Sequence, residues 1–333
     1  MKGCGLVRRL FVVLAVGLML LGSGLAWWLA HGLALKADSV DLSIEPNTSV
    51  RDVALAVQRA GVEVNPQWLY WWFRLSGQAR LIKAGNYQIE PGESPYSLLQ
   101  KLVLGKASMH SFTVIEGWNF AQLQQALQQI QGLQLQTQGL APEAIMAALG
   151  RPGVSPEGRF FPDTYVFAKG SSDLKLLRLA MHTMDKKLET AWQQRLPNSP
   201  LRTPEEALIL ASIVEKETGR DSERAMISGV FANRLRLGMP LQTDPTVIYG
   251  LGVAFDGNLR RQDLRTDTPW NTYTRVGLPP TPIAMPGMAA LLAAVQPAAT
   301  PALFFVARGD GSSEFSTTLK AHNQAVAKYQ LGR

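Results

Sequence analysis

The sequence predicts a mixed α+β protein: an N-terminal transmembrane helix, then a small α+β domain, then a larger α+β domain. Three observations lead to this class. Leu10–Ala30 carries no charge over 21 residues and follows Lys2, Arg8 and Arg9. Between residues 40 and 110, helix caps alternate with short strand-like runs. From Thr203 onward, helix starts recur at Thr203-Pro204, Ser222 and Asp244-Pro245. The expected divisions are a cytoplasmic tail at 1–9, a membrane helix at 10–30, a small domain at 40–110, a connecting α+β region at 111–200 and a last domain at 201–333.

As a helix, the uncharged run is roughly 31 Å long, against a bilayer core of about 30 Å. Trp27 and Trp28 stand at its far end, where indoles favour the membrane interface. The positive flank assigns the first residues to the cytoplasm, so everything after Lys36 faces outward. A cleaved signal peptide competes with this reading. Gly24-Leu25-Ala26 is a poor cleavage site, and two tryptophans directly beyond it argue for an uncleaved anchor.

Composition narrows the classes. Hydrophobic residues make up 46% and charged residues 18%, enough apolar material for a sizeable core. The single cysteine, Cys4, excludes an intrachain disulfide and any site built on several thiolates. The apolar run follows Cys4, which does not suit a lipoprotein. The net charge of +7 fits an anionic partner, whether nucleic acid, membrane surface or acidic wall polymer. The positive residues are scattered, so nucleic acid is not expected. His31, His110, His182 and His322 show no ligand spacing, and no phosphate loop or dinucleotide fingerprint is present. The expectation is therefore no metal and no cofactor.

Along the exported part, residues 37–46 read as an extended lead-in. Ser49 caps a helix that ends before Gly61, and Asn65-Pro66 starts a second. Residues 84–89 read as a strand, and Ser94-Pro95 starts a helix that stops at Gly105. Trp68, Tyr70, Trp71, Trp72 and Phe73 form either packed core or a surface that stacks on sugar rings. Residues 111–115 suggest a strand, the glutamine-rich run 122–138 a helix in its first half, and 173–193 a surface helix. Residues 157–165 form an aromatic, turn-containing segment that walls a cleft or packs in the core. A loop at 197–200 marks a hinge.

The chemistry concentrates further on. Thr203-Pro204-Glu205-Glu206 is a capping box opening a helix to about Thr218. Ala207–Val214 is apolar all round, which predicts a buried helix. Glu215 and Glu217 follow at its end. Residues two apart diverge on a helix, so the two carboxylates do different jobs. Glu217 continues the face of Leu210, Ile213 and Val214; Glu215 continues a smaller, wetter face with Leu208, Ala211 and Ser212. A carboxyl beside large apolar groups, at a negative helix end, has a raised pKa and suits an acid for a glycosidic oxygen. The alternative is two solvated glutamates at a fraying helix end. Beyond them, Asn233 and Arg234 either face a cleft or make structural bonds. Asp244 reads as a helix cap, and Gln242, Thr243 and Tyr249 offer donors and acceptors suited to sugar hydroxyls and amides.

Several stretches are recognisable. Ala211-Ser212-Ile213-Val214-Glu215-Lys216-Glu217-Thr218, Val230-Phe231-Ala232-Asn233-Arg234-Leu235 and Leu241–Tyr249 resemble the endolytic murein transglycosylase, or YceG-like, family. Asn271-Thr272-Tyr273 and Gly277-Leu278-Pro279-Pro280 continue the match; Glu116-Gly117, Phe161–Tyr165 and His322-Asn323 extend it weakly. The resemblance implies a single-pass inner-membrane protein with its catalytic domain at 201–333 in the periplasm and a LysM-like small domain at 40–110. It implies endolytic cleavage of the MurNAc-GlcNAc β-1,4 bond in nascent strands, with 1,6-anhydroMurNAc formation that terminates elongation. Glu217 is the implied acid/base. Gln242, Thr243, Tyr249, Asn233, Asn271 and Tyr273 are the candidates for holding sugar. Peptidoglycan strands, membrane lipid and peptidoglycan synthases are the implied partners. Two other classes stay open: a non-catalytic peptidoglycan-binding scaffold, and a hydrolase pairing Glu217 with Asp244 or Glu223. Gly311–Phe315 lacks the histidine usual in the family, and Thr281 and Met285 replace its customary glycine and asparagine.

Overall fold

The computed structural model describes residues 3–45, 47–105 and 109–331, with side chains from residue 12 onward except that of Met109. Lys2, and the side chains of Cys4, Arg8 and Arg9, lie outside that description. The chain is a mixed α+β protein with one long apolar N-terminal helix. It divides into two compact units: residues 1–110 with 166–170, and residues 111–165 with 171–333.

The first unit begins with helix α1 (Gly3–Ala30), in which Val12–Ala30 is long and apolar enough to cross a membrane and none of it is buried. Strand β1 (Ala34–Leu35), strand β2 (Val40–Ile44), helix α2 (Val50–Arg59), strand β3 (Val62–Glu63), helix α3 (Pro66–Leu75), strand β4 (Gly85–Ile89) and helix α4 (Pro95–Leu104) follow. β1 pairs antiparallel with β3. β2 pairs antiparallel with β4, from Val40↔Ile89 to Ile44↔Gly85. Along β2, Val40, Leu42 and Ile44 turn inward while Asp41 and Ser43 face out, the period-2 pattern of a half-buried strand. The helix starts lie where the sequence signals them. Ser49 accepts the Asp52 N–H at 3.2 Å, and Asn65 accepts that of Gln67 at 2.9 Å. Ser94 and Ser97 cap reciprocally, and Gly105 ends α4 at φ +72°. Leu69 and Phe73 enter the core with Val53, Val57, Tyr87 and Leu98. Trp68 and Trp71 stay exposed, so the aromatic cluster divides between core and surface.

Strand β5 (Met109–Thr113) pairs with strand β6 (Thr164–Ala168). β5 starts two residues before the expected strand. In the second unit follow helices α5 (Phe120–Gln128), α6 (Pro142–Ala148), α7 (Asp173–Gln193), α8 (Pro204–Glu217), α9 (Asp221–Arg236), α10 (Asp244–Leu251), α11 (Arg261–Arg265) and α12 (Met288–Val295). Strands β7 (Phe304–Ala307) and β8 (Ser313–Ser316) form an antiparallel hairpin, and helix α13 (Leu319–Tyr329) closes the chain. α8 runs through the centre against α7, α9 and α12, with every residue from Ala207 to Val214 buried. Burying each large aliphatic of that stretch stabilises the fold by about 1.5–3 kcal/mol. Ser212 is tolerated there because its hydroxyl donates to the Ile209 carbonyl at 2.7 Å and accepts the Ile283 N–H at 3.0 Å.

Two local expectations need correction. The 197–200 loop is no boundary between compact units. It lies inside the second unit, where the Leu196 N–H meets the Val295 carbonyl at 3.0 Å and Arg236 meets the Asn198 carbonyl at 3.2 Å. Asp244 is not the cap of α10. Thr243 holds that position, and Asp244 instead accepts the Tyr273 hydroxyl at 2.6 Å.

Candidate active site

α8 delivers Glu217 to the edge of the core. Thr218, in an extended conformation, stops the helix one residue later. The half-buried Glu217 carboxylate accepts a hydrogen bond from the Thr243 hydroxyl. Thr243 is itself held from below: its N–H meets the Thr272 hydroxyl at 3.1 Å, and Thr246 bonds both the Thr243 carbonyl and the Thr272 hydroxyl at 2.8 Å. Next to it, Gln242 adopts φ +51°, a strained conformation for a residue with a side chain. Its N–H reaches the Thr272 carbonyl at 3.0 Å and its Oε1 accepts from Arg234 at 3.2 Å. Arg234 is buried and also donates to the carbonyls of Leu303, Pro240 and Leu241. Its Nε and Nη1 act as a structural clamp, while Nη2 carries no hydrogen bond among the described residues and Arg234 lines a recess.

Glu217, Arg234, Gln242 and Thr243 line a recess of about 410 Å³, together with Asp244, Tyr273, Phe304 and His322. Burial pushes the Glu217 carboxyl up to about 7; the Thr243 hydrogen bond pulls it back and the Asp244 charge adds to the rise. The Glu217 carboxyl thus shifts in the direction that its face of α8 implies. Glu215 does not stand on the wet face expected of it. The Glu215 side chain is 5% exposed, accepts the Gly287 N–H at 2.8 Å and lies 3.4 Å from buried Arg224. Leu208, Ala211 and Ser212 are all fully buried, so that face is dry. Glu215 ties the end of α8 to the start of α12.

A second recess, of about 790 Å³, shares two chain segments with the first. Lys216 and Pro245 line it, while their chain neighbours Glu217 and Asp244 line the first. Tyr249 and Trp270 meet edge to face there with centroids 5.5 Å apart. The Tyr249 hydroxyl donates to Glu157 at 3.1 Å, and the Trp270 indole to Thr281 at 3.0 Å. Glu157 is only 4% exposed and also accepts the Phe120 N–H at 3.1 Å; burial pushes its carboxyl up to about 7. Sequence reading passed over Glu157. The available signal was a carboxylate within the aromatic run 157–165, beside Gly158. That glycine sits at φ +76°, where a side chain would meet Pro282 at 2.6 Å.

The other expected site residues separate. Asn233 donates to the carbonyls of Thr300 and Ala302 at 2.7 and 3.0 Å, which anchors the chain before β7. Asn271 is fully buried and donates to the carbonyls of Asp263, Leu264 and Thr266. Neither offers an amide to a sugar, which corrects that part of the expectation. Glu223 accepts both the N–H and the hydroxyl of Ser313, at 2.9 and 2.8 Å, and so pins the 311–315 loop instead of serving as a second carboxylate. His322 stacks on Phe304 at 5.2 Å and lines the first recess, with its Nδ1 buried and unpartnered among the described residues.

A family model described as the YceG-like family matches residues 42–328. The chain belongs to the YceG-like family. This YceG-like chain is 31% identical over 309 residues to an endolytic murein transglycosylase of Bacillus subtilis, across 87% of this chain and 85% of the relative. An endolytic murein transglycosylase of Streptococcus pneumoniae is 25% identical over 323 residues, across 87% of this chain and 58% of the relative. The crystal structure of a YceG-like protein from Listeria monocytogenes is similar with a TM-score of 0.53 and 25% identity, covering 86% of this chain and 98% of that one.

Proposed function

We propose that this YceG-like protein is a membrane-anchored lyase, an endolytic lytic transglycosylase of peptidoglycan, with Glu217 as its acid/base. The observation that carries the reading is Glu217 itself: a carboxyl raised to about 7 in the wall of one recess, held by one threonine, with its chain neighbour Lys216 lining a second recess. The two recesses are the proposed seats of the strand on either side of the bond to be cut.

In the proposed reaction, protonated Glu217 gives its proton to the oxygen between N-acetylmuramic acid and N-acetylglucosamine. The C1–O bond breaks and the oxocarbenium-like centre forms. The Glu217 carboxylate then takes the proton of the muramyl C6 hydroxyl, whose oxygen bonds to C1 and closes the 1,6-anhydro ring. The proton returns to Glu217 and no water is consumed. A second carboxylate to activate water is therefore unnecessary, unlike in ordinary glycoside hydrolysis. Gln242 and Tyr273 in the first recess and Tyr249 in the second are the proposed sugar contacts; Thr243 holds the acid. α1 serves as a single-pass inner-membrane anchor, with cytoplasmic N-terminus and periplasmic body. The small domain at 40–110 is LysM-like, and 201–333 carries the acid and the sugar contacts, with most of 111–200 built into the same compact unit. Nascent strands are the proposed substrate, cleavage ends their elongation, and peptidoglycan synthases are the proposed neighbours.

Mass spectrometry of digested glycan strands tests the reaction. Anhydromuramyl ends are expected. Reducing muramic acid ends would make the protein a hydrolase, and uncut strands would make it a scaffold.

The acid form must be present at the start, so kcat/KM falls as pH rises through about 7. The Thr243 hydroxyl favours the ionised carboxylate, so Thr243→Val moves this alkaline limb to higher pH. Glu157 also titrates near 7, and Glu157→Gln leaves the limb where it is. A limb that follows Glu157→Gln instead of Thr243→Val would assign the titration to the wrong recess.

A further inference from the structure

We propose that helix α3 lies in the headgroup layer of the membrane, so that the small unit sits on the bilayer at two points, α1 and α3. This rests on the reading of α1 as the membrane anchor.

Two faces of α3 differ sharply. Leu69 and Phe73, four residues apart, are buried in the core of the unit. Trp68, Trp71 and Leu75, at i, i+3 and i+7, form a second apolar stripe and are 59%, 53% and 79% exposed. Gln67 and Arg74 edge that stripe. Nothing in the packing of the unit requires large apolar groups there, since the core is already filled from the opposite face. Exposed tryptophans beside an arginine are the residue types that settle at a membrane–water interface.

The connection from α1 sets the height of the stripe. The chain passes from Ala30 into the small unit without a free linker. The Leu33 N–H meets the Glu93 carbonyl at 2.7 Å, and Leu33 joins the core. At Gly32 the backbone runs so close to Gly92 that a Cβ would stand 3.0 Å from its Cα. Trp28, in the last turn of α1, meets Trp68 edge to face with ring centroids 5.8 Å apart. The interfacial layer on each side of a bilayer is about 5–7 Å thick. With Trp28 at the end of the apolar span, Trp68 therefore falls within the same layer. A sugar-stacking role suits this stripe less well, because Leu75 offers a hydroxyl-rich ligand no partner and Trp28 belongs to the anchor.

The test uses the full chain in phospholipid vesicles, in a Cys4→Ser background, with a polarity-sensitive fluorophore on one introduced cysteine at a time. Leu75→Cys and Trp71→Cys report on the stripe and Leu18→Cys on the middle of α1. Ser43→Cys reports on the outward face of β2, towards the end of the β2–β4 pair remote from Gly92. The expected result is a blue shift at 71 and 75, with loss of emission to lipids spin-labelled near the headgroup and protection from aqueous iodide. Position 43 should be quenched by iodide alone, and position 18 by lipids spin-labelled deep in the chain. Iodide quenching at 71 and 75 with a lipid-buried label at 18 would overturn the seat on α3 and leave the anchor standing. An aqueous label at 18 as well would bring down the anchor and this inference together. Labels at 71 and 75 shielded from both quenchers would mean that a second copy covers the stripe, which also rejects lipid as the occupant.

Discussion

Glu217→Gln yields folded protein that forms anhydromuramyl ends about 10²–10⁴-fold more slowly than the parent, the usual contribution of a positioned general acid. The amide keeps the size of the side chain, and its oxygen still accepts the Thr243 hydroxyl, so the site keeps its shape. What disappears is the proton. The same variant carries a second signature. The Glu217 pKa is raised in the folded protein, so the folded state holds its proton more tightly than the unfolded chain between the ordinary carboxylate range and about pH 7. Stability attributable to this group is present below that range and is lost as pH rises through about 7, because ionising a buried carboxyl is unfavourable. Glutamine does not titrate. The variant should therefore gain stability relative to the parent as pH increases, while its activity stays low at every pH. Activity within a few-fold of the parent would reject Glu217 as the acid. A stability difference that does not change with pH would reject the environment assigned to it.

Much of this was legible in the chain because local rules and tertiary structure agree. The caps at Ser49, Asn65, Ser94 and Thr203 lie where side-chain oxygens precede apolar periodicity. The all-round apolar stretch of α8 is central because no face of it can meet water. The rise of the Glu217 carboxyl also has the direction that its spacing implies. The errors share a cause. Sequence spacing places Glu215 on a face but does not say what covers that face; the start of α12, some seventy residues further on, makes it dry. Asp244 has the form of a cap, yet Tyr273 claims its carboxylate from 29 residues away. Glu157 has its pKa raised by burial, and the Phe120 and Tyr249 hydrogen bonds that pull it part of the way back come from residues distant in sequence. Polar residues are ambiguous in a sequence for this reason: their partners are set by the fold, whereas apolar periodicity reports directly on it.

Asn271 turns that ambiguity into a measurement. As a sugar contact, Asn271→Ala would raise KM and leave the melting temperature alone. The structure gives it other work. Its amide N–H groups are shared among three carbonyls of the 263–266 segment, and its side-chain oxygen accepts the Tyr273 N–H at 2.8 Å. All of this is fully buried. Alanine leaves these backbone groups without partners, at about 1–3 kcal/mol for each one left unsatisfied. A total of about 2–4 kcal/mol is expected, because the segment relaxes enough to recover part of the loss. For a unit of this size that lowers the melting temperature by roughly 5–15 °C. The fall should be the same in a Glu217→Gln background and in the absence of any glycan, since neither substrate nor chemistry enters into it. Thr272 supports Thr243 from the next position, so some loss of kcat accompanies the loss of stability. An unchanged melting temperature with a raised KM would return Asn271 to the substrate, and with it the assumption that an amide in this stretch is there to be read by a sugar.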